Sequence, residues 1–353
     1  MNSFNIGKKK IGKNQPVFIV AEMGANHNGD INLAKKLIIE VKKIGCDSVK
    51  FQTYNAENFC ADKKKEFTYF SKGKKVVESE YEMLKRFEFT QFEWKEIVNF
   101  CLKEKIFFFT TIQDKPNLDF MLKIGIKAIK VGADDFDFLS NLKMYAKTKL
   151  PLILSRGMSD LSEIDQTINT LRPITKKLAI LHCVSEYPVD HKNINMKQLS
   201  TLISLYPDII WGYSDHSIGS QAACTAVTLG AKIIEKHFTL DHNLEGPDHW
   251  FSADTNEMKQ LVKDIRITEK LLGSSTVKPS YNELHRSKSI MRRKIVTKQN
   301  LTKGSTLTKK NVYFKRCDGG SAIKYWDTVK GKKINKSLKK NIGIELKDIN
   351  FKK

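Results

Sequence analysis

The stretch PVFIVAEMGANHNGDINLAKKLIIEVKKIGCDSVKFQT, residues 16–53, places an apolar strand, an amphipathic helix and a second apolar strand in immediate succession. Apolar residues recur at helical spacing over residues 30–45, and Asp30 stands where a helix N-cap is expected. The pattern predicts strands over 16–22 and 47–53 joined by that helix. Strands that alternate with helices in this way are typical of a parallel sheet, and this decides the fold class as α/β.

The same alternation continues to residue 273. Eight strand–helix units in a segment of this length favour a closed (β/α)₈ TIM barrel. A doubly wound open sheet is the alternative, although AEMGANHNGD, which contains the end of the first strand, lacks the glycine spacing of a dinucleotide-binding loop. A long charged insertion occupies residues 55–88. The predicted strands are 16–22, 47–53, 106–111, 128–132, 151–155, 178–183, 209–214 and 231–238, and the predicted helices are 30–45, 90–105, 115–125, 139–148, 161–171, 195–207, 219–230 and 255–273.

The sequence changes character after Gly273. Short apolar runs are separated there by the turn signals Lys303-Gly304, Lys330-Gly331 and Asn341–Gly343, which predict a small β-rich domain. The predicted divisions are a barrel domain over 1–275, a linker over 276–290 and the β-rich domain over 291–353.

Composition argues against several classes of protein. The sequence has no apolar run of about 18 residues, so no membrane span is predicted, and its N-terminal stretch lacks the apolar core of a signal peptide. The six cysteines are irregularly spaced and form no C-x-x-C pair. We therefore expect reduced thiols and a cytoplasmic location rather than a disulfide framework.

The net charge of +22 is concentrated near the C-terminus. Residues 277–353 contain 22 of the 61 Lys and Arg residues but only 5 of the 39 Asp and Glu residues, a net charge of +17. Nucleic-acid binding, attraction of an anionic substrate and a general preference for surface lysine all fit this distribution. Basic and aromatic residues do not alternate there as in single-strand-binding surfaces, so we expect no nucleic-acid partner.

Polar residues stand at the carboxyl end of every predicted strand, which is the face of a (β/α)₈ barrel where active sites form. His216 and His237 end strands seven and eight, and neighbouring strands lie about 4.8 Å apart. Their imidazoles can therefore meet on one divalent cation, the alternative being a purely structural role. The donors expected to hold a phosphate or carboxylate across the same mouth are Lys50, Thr111, Lys130, Ser155 and Arg156.

Eight segments of the barrel, in register, resemble the sialic acid synthase family. They are FIVAEMGANHNGD (18–30), VKFQTY (49–54), KVGADDF (130–136), LSRGM (154–158), ILHCVSEYP (180–188), GYSDHS (212–217), GAKIIEKHFTL (230–240) and EGPDHWFSAD (245–254). The segments that resemble the antifreeze-like (SAF, β-clip) domain of that family are IVTKQNLTKGSTLTKKNV (295–312), FKR (314–316) and KGKKINKSLKKN (330–341).

The resemblance implies a reaction, a cofactor and an assembly. Family members condense phosphoenolpyruvate with an open-chain N-acetylated amino sugar, and the products are a nine-carbon α-keto sugar acid and phosphate. They require a divalent metal, Mn²⁺ or Mg²⁺, and form a homodimer with swapped C-terminal domains. We favour N-acetylmannosamine as the acceptor, which makes the product N-acetylneuraminate. A diacetamido hexose, giving N,N′-diacetyllegionaminate or pseudaminate, is the alternative.

The matching positions imply roles for individual residues. His216 and His237 match the metal-binding histidines, and Glu22 fits a catalytic acid–base role beside them. Arg316 matches an arginine of the tail domain that contacts the N-acyl group in the partner's site. The positions that match phosphoenolpyruvate contacts are Lys50, Thr111, Lys130, Ser155, Ser185 and Ser214. The positions that match sugar contacts are Glu22, Gln52, Asp135, Tyr187 and Asp248.

Five positions depart from the family pattern, and none of them is a metal ligand or a catalytic carboxylate. Ala133 and Ile112 replace a serine and a proline, Ser185 and Arg156 replace an asparagine and a threonine, and Cys317 replaces the proline after the tail arginine. We expect Arg156 to supply an anion contact that Ala133 has lost. A second hypothesis is another phosphoenolpyruvate-dependent aldol-type synthase with a phosphorylated acceptor, but the sequence shows no clear second phosphate site.

Overall fold

Eight parallel strands close into a barrel, and the helices pack around its outside. The structure, a computed structural model, describes residues 3–351, without the side chains of 287–289. The chain divides into two compact units, one ending at Gly273 and one beginning at Ser274. The predicted (β/α)₈ barrel is confirmed, and the doubly wound alternative is wrong, because the strand ending at His237 pairs with the strand ending at Glu22 and leaves no open edge.

The first unit contains two hairpins besides the barrel. The barrel strands follow the order β3-β4-β7-β8-β9-β10-β11-β12, and β12 returns to β3. In chain order the elements of this unit are β1 Phe4–Ile6, β2 Lys9–Ile11, β3 Phe18–Glu22, α1 Ile31–Ile44, β4 Ser48–Thr53, α2 Ala56–Phe59, β5 Glu66–Ser71, β6 Lys74–Ser79, α3 Glu80–Phe87, α4 Gln91–Glu104, β7 Phe107–Ile112, α5 Lys115–Lys123, β8 Ile129–Val131, α6 Leu139–Lys147, β9 Leu152–Arg156, α7 Leu161–Leu171, β10 Leu178–Cys183, α8 Lys197–Leu205, β11 Ile210–Asp215, α9 Gln221–Leu229, β12 Ile233–His237 and α10 Thr255–Leu272.

The sequence predicts the bounds of the barrel strands and helices accurately because their ends carry local signals. Observed and predicted bounds differ by at most two residues for these strands and helices. Asp30 caps α1 by accepting a hydrogen bond from the Asn32 backbone N–H, and Asp254 and Glu257 form a capping box at the start of α10. Gly45 ends α1 with a φ of 93°, a left-handed conformation that glycine adopts without strain.

Side chains alternate between the barrel interior and the helix layer, as the period of two in a strand requires. The interior near the start of the strands is apolar and includes Phe18, Phe109 and Ile233. Phe4 and Ile11 of the β1–β2 hairpin pack into the same cluster and close this end of the barrel. The charged side chains of the interior lie in the layer at the carboxyl end, where a mouth remains open.

The charged insertion folds as α2, the hairpin β5–β6 and α3. Lys72 and Gly73 form the two-residue turn of the hairpin with φ values of 52° and 72°, as a primed turn requires. The tip of the hairpin touches the loop after β12. The Gly246 N–H donates to Ser71 Oγ over 3.1 Å, and Lys72 pairs with Glu245 over 3.1 Å. The insertion is therefore folded, and its hairpin tip reaches the loop after β12, a strand that only β3 separates from β4 in the barrel.

The second unit is built from short β-strand pairs around its own apolar core. Its strand pairs, β13–β14 and β15–β16, are both antiparallel. Gly304, Gly331 and Asn341 have positive φ at the three predicted turns. The core includes Leu307 and Ile344. In chain order the elements are a π-helical turn Glu283–Ser287, α11 Lys288–Met291, β13 Lys294–Thr297, β14 Val312–Lys315, α12 Trp326–Val329, β15 Lys333–Ile334 and β16 Ile349–Asn350.

Two whole-chain predictions can be compared with the structure. All six cysteines are free thiols. Within residues 3–351, none of the helices combines the length and the apolar character that crossing a membrane demands.

Candidate active site at the barrel mouth

The carboxyl-terminal interior layer of the barrel gathers side chains from all eight strands. Most of these residues stand an even number of positions from an apolar interior residue on the same strand, so their side chains point inward. The others are paired in the strand register with an inward residue of the neighbouring strand. The interior side chains of this layer are Glu22, Lys50, Gln52, Thr111, Lys130, Ser155, Cys183, Ser214, Glu235 and His237.

Two lysines and two carboxylates form the charged part of this layer. Lys50 Nζ lies 2.7 Å from Glu22 Oε2 and 3.3 Å from Glu235 Oε1, and it donates to Thr111 Oγ1 over 3.1 Å. Lys130 Nζ donates to Ser155 Oγ over 2.7 Å and lies 3.6 Å from Glu235 Oε1. Glu235 thus bridges the two ammonium groups.

Burial changes the proton affinities of these groups in different directions. It raises the pKa of Glu22, although Lys50 counteracts the shift, and it lowers the pKa of Lys130. Burial also acts on Glu235, but the two lysines outweigh it and lower the pKa of this carboxyl. When Glu22 holds a proton, the four groups carry a net positive charge, which suits an anionic ligand.

A cavity of about 310 Å³ opens onto these groups. The predicted site residues that line it are Lys50, Gln52, Thr111, Lys130, Ser155, Ser185, Tyr187, Ser214, His216 and His237. We name this space the ionic chamber. Its donors come from strands on every side, so a small anion within it can be contacted from several directions at once.

The two histidines stand at one side of the ionic chamber. Their ring centroids are 5.6 Å apart, and the Tyr187 ring lies 4.1 Å from that of His216. The pKa of His216 falls to about 4 through burial, and burial lowers the pKa of His237 well below its ordinary value. Both imidazoles are therefore neutral at physiological pH, which is the form that binds metals.

The partners of the two rings orient them for binding a cation. His216 Nδ1 donates to the Val184 carbonyl over 2.7 Å, which leaves Nε2 as the free ligand atom. His237 Nδ1 lies 3.5 Å from Asp248 Oδ2 and accepts no hydrogen bond within the described part of the chain. Imidazole–metal bonds of about 2.1 Å fit between rings at this separation. The residues present therefore fit a divalent cation.

Asp248 can approach His237 because of a glycine. A Cβ on Gly24 would lie 2.7 Å from Asp248 Oδ2, and Gly24 has a φ of +48°. The Ala25 N–H lies 3.4 Å from the same carboxylate oxygen. Burial raises the pKa of Asp248 to about 6. A larger residue at position 24 would displace the carboxylate from the histidine.

A second cavity, of about 490 Å³, adjoins the first. The two share Gln52, Tyr54, Leu84, Tyr187 and His237. Most of the remaining wall is aromatic or aliphatic, and we name this space the aromatic chamber. Its other lining residues are Gly24, Ala25, Phe67, Thr68, Tyr69, Phe70, Met83, Phe87, Pro247, Asp248, Trp250 and Phe251.

Three predicted site residues of the first unit, Glu22, Asp135 and Arg156, lie outside the walls of both chambers. Glu22 is 1% exposed and does not line the ionic chamber itself. It forms an ion pair with Lys50 and accepts a hydrogen bond from Gln52, and both of these residues line the chamber. Asp135 lies beyond the wall, and Asp134 of the same loop after β8 lines it instead. Arg316 lies in the second unit, where its Nε donates to the Met291 carbonyl over 2.8 Å.

Arg156 does not supply the expected anion contact. It takes the outward position on β9, next to the inward Ser155, and lies in the helix layer. Its guanidinium contacts His182 Nδ1 and Gln198 Oε1 there. Burial lowers the Arg156 pKa. The expectation was wrong because consecutive strand residues face opposite sides of the sheet.

Sequence reasoning missed Glu235, Cys183 and Asp134 as lining residues. Glu235 carried a usable signal, since it stands two residues before His237 and must share its inward face. The intervening Lys236 faces outward and pairs with the buried Asp215 over 3.0 Å. Along β12, Glu235 and His237 therefore face the mouth, whereas Lys236 between them faces outward and forms an ion pair with Asp215.

One other group of metal-type ligands lies outside the mouth, among the described residues. His242, Asp254 and Glu257 have ligand atoms within 4.8 Å of one another. Asp254 and Glu257 already cap α10, and His242 lies 3.1 Å from Glu257 Oε2. Capping of α10 therefore explains why these two carboxylates lie together.

Comparison with known proteins agrees with the fold. A model of the NeuB family matches residues 37–277. An uncharacterized protein of Methanocaldococcus jannaschii is 40% identical over 95% of each chain. The N,N′-diacetyllegionaminic acid synthase of Legionella pneumophila is 36% identical over 94% of each chain. The crystal structure of the N-acetylneuraminic acid synthetase of Leptospira borgpetersenii has a TM-score of 0.73 and 34% identity, covering 81% of this chain and 95% of that one.

Proposed function

The chain belongs to the NeuB family of sugar-acid synthases, and on that premise we propose that it condenses phosphoenolpyruvate with the open-chain form of an N-acylated amino hexose. The products are a nine-carbon α-keto sugar acid and inorganic phosphate. The acceptor is unphosphorylated, and the candidates are N-acetylmannosamine and a diacetamido hexose.

The observation that carries the proposal is the pairing of two kinds of group in one chamber. Lys50 and Lys130 converge within a few ångströms of Glu235, and hydroxyls surround them. Neutral His216 and His237 stand at the side of the same space. Lysines and hydroxyls suit the phosphate and carboxylate of an enol ester, while neutral imidazoles suit a Lewis acid next to a carbonyl.

The residues of the ionic chamber have distinct parts in the reaction. Lys50, Lys130 and the nearby hydroxyls hold phosphoenolpyruvate with its C3 toward the histidine side of the chamber. A divalent cation, Mn²⁺ or Mg²⁺, held by His216 and His237 would polarise the acceptor aldehyde. The new bond joins C3 to the aldehyde carbon, water adds at C2, and phosphate leaves as the C2–O bond breaks.

Glu22 is our candidate acid–base group. Burial raises the pKa of this carboxyl, and its Oε2 lies 2.7 Å from Lys50 Nζ, which lines the chamber. A proton can pass from Glu22 through Lys50 to the aldehyde oxygen as that oxygen becomes a hydroxyl. Glu235 lies close to both lysines, and its charge counteracts the lowering of the Lys130 pKa by burial.

The assembly and the acceptor contact of the second unit follow from the family resemblance. We propose a homodimer with swapped C-terminal units, in which the partner's Arg316 contacts the N-acyl group. The net charge of +17 over residues 277–353 favours the approach of an anionic substrate.

The test is phosphate release with an acceptor panel. Purified protein with Mn²⁺ and phosphoenolpyruvate should release phosphate and form a thiobarbiturate-positive product when N-acetylmannosamine or a diacetamido hexose is added. Reactions without an acceptor, or with erythrose 4-phosphate or arabinose 5-phosphate, are the controls. Turnover with a phosphorylated sugar alone would favour the aldol-type alternative, and no turnover with any acceptor would refute the proposal.

A further inference from the structure

The aromatic chamber has the shape and composition of a site for one half of a sugar. It adjoins the ionic chamber at His237, so a chain whose aldehyde lies at the histidines can extend directly into it. Its volume of about 490 Å³ exceeds that of the ionic chamber. Phe70 and Trp250 form one side with ring centroids 5.7 Å apart. Aromatic faces of this kind bind C–H-rich surfaces.

The charge of this chamber differs from that of its neighbour. Among the described residues that line it, none is a lysine or an arginine, and Asp248 is the carboxylate. Lys72 is close by in the chain but pairs with Glu245 at the hairpin tip. A phosphate group in this space would meet Asp248 without a cation to balance it, and burying an unpaired anion is unfavourable.

The hairpin β5–β6 builds the wall of the chamber and is held across it. Ser71 and Lys72 tie the hairpin tip to Gly246 and Glu245 of the loop after β12. Phe70 is 48% exposed, so its ring is accessible to a ligand in the chamber that it lines. The hairpin and the loop after β12 therefore form one binding wall from two separate parts of the chain.

From these observations we infer that the aromatic chamber binds the distal half, C4 to C6, of the acceptor and selects one whose distal end is deoxygenated and N-acylated rather than phosphorylated. Phe70 and Trp250 are the residues that determine this specificity. The inference rests on the proposed function, because it takes the aldehyde to lie at His216 and His237. It assigns the insertion of residues 55–88 to acceptor recognition.

The test compares three acceptors with phosphoenolpyruvate held constant: 2,4-diacetamido-2,4,6-trideoxymannose, N-acetylmannosamine and N-acetylmannosamine 6-phosphate. We expect kcat/KM for the diacetamido sugar to exceed that for N-acetylmannosamine by about tenfold, because its acetamido and methyl groups meet aromatic rings. The 6-phosphate should be the poorest of the three.

Variants of the two rings test the assignment to residues. Phe70→Ala should raise KM for the diacetamido sugar about tenfold, with kcat, the KM for phosphoenolpyruvate and the KM for N-acetylmannosamine within about twofold of wild type. Trp250→Leu should act in the same direction while leaving the hydrogen bonds of the hairpin tip in place. Phe92→Ala is the matched control, since Phe92 is 74% exposed on α4 and lines neither chamber.

The possible results separate this inference from the proposed function. If no acceptor releases phosphate, the proposed function fails and this inference fails with it. If N-acetylmannosamine is the best substrate, or if Phe70→Ala raises KM equally for every acceptor, the inference is overturned while the proposed function stands. If the 6-phosphate is the best substrate, the inference is overturned together with the proposed unphosphorylated acceptor.

Discussion

The two chambers at the barrel mouth share His237 and Tyr187 yet differ in almost every physical property. The ionic chamber is lined by side chains from the barrel strands and contains two lysines that contact buried carboxylates. The aromatic chamber is lined largely by a loop and a hairpin, and its described lining residues include no lysine or arginine. Under the proposed function, charge would hold the ligand in one chamber, and apolar contact would hold it in the other.

This difference suggests how reactivity and specificity are divided in the molecule. Barrel strands fix their inward side chains through hydrogen-bonded neighbours on both edges, so the reacting groups are rigidly placed. The β5–β6 hairpin packs on a small cluster that includes Tyr69, Met83 and Phe87, and it can change without altering the barrel. Substitutions in the two chambers should therefore have separable effects on kcat and on the KM of the acceptor.

The largest effect is expected at His237, one of the five residues that both chambers share. His237→Ala removes an imidazole next to the expected position of the aldehyde, so kcat should fall about 10³-fold or more and added Mn²⁺ should no longer stimulate turnover. Steady-state phosphate release across a Mn²⁺ titration measures both effects. His242→Ala is the matched control, because His242 lies at the start of α10 beside Glu257 and outside both chambers. A variant that keeps its metal-dependent rate would contradict the proposed role of His237.

A smaller effect that is confined to the ionic chamber is expected at Lys130. Lys130→Met keeps the length of the side chain but removes a buried cation next to Ser155 and Glu235, so kcat/KM for phosphoenolpyruvate should fall about 10²-fold. The KM of the acceptor should stay within about twofold. Lys127→Met, an exposed change three residues earlier, is the control. Equal losses for both substrates would show that the two chambers do not act separately.

The fold and the ionic half of the site could be predicted because both depend on local pattern. Strand–helix alternation gives the barrel, and its geometry brings the carboxyl ends of the strands together. His216, Lys50 and Lys130 follow from their positions at these ends. Alternation also explains two errors in opposite directions: Glu235 faces inward and was missed, whereas Arg156 faces the helix layer and was assigned to the mouth.

The family resemblance indicated Gln52, Tyr187 and Asp248 of the aromatic half. Its hairpin wall could not be predicted, because it depends on contacts between distant parts of the chain. The sequence shows Lys72-Gly73 between two β-forming runs, a hairpin signal that the surrounding charges obscured. Nothing local indicates that Phe70 meets Trp250 or that Asp248 lies 3.5 Å from His237. These contacts arise when the hairpin folds over the mouth and the loop after β12 meets it.

The smallest expected effect is a difference in salt response between the two substrates. Mobile ions screen attraction over about 10 Å at 0.1 M, so raising KCl from about 50 to 300 mM should weaken the capture of phosphoenolpyruvate by a protein of net charge +22. We expect its KM to rise about two- to threefold, because the buried lysines themselves are poorly screened. The KM of an uncharged acceptor should stay constant, since aromatic contact does not depend on ionic strength. Repeating the titration with potassium glutamate separates screening from occupation of the ionic chamber by chloride. An equal rise in both KM values would show that long-range charge does not distinguish the chambers.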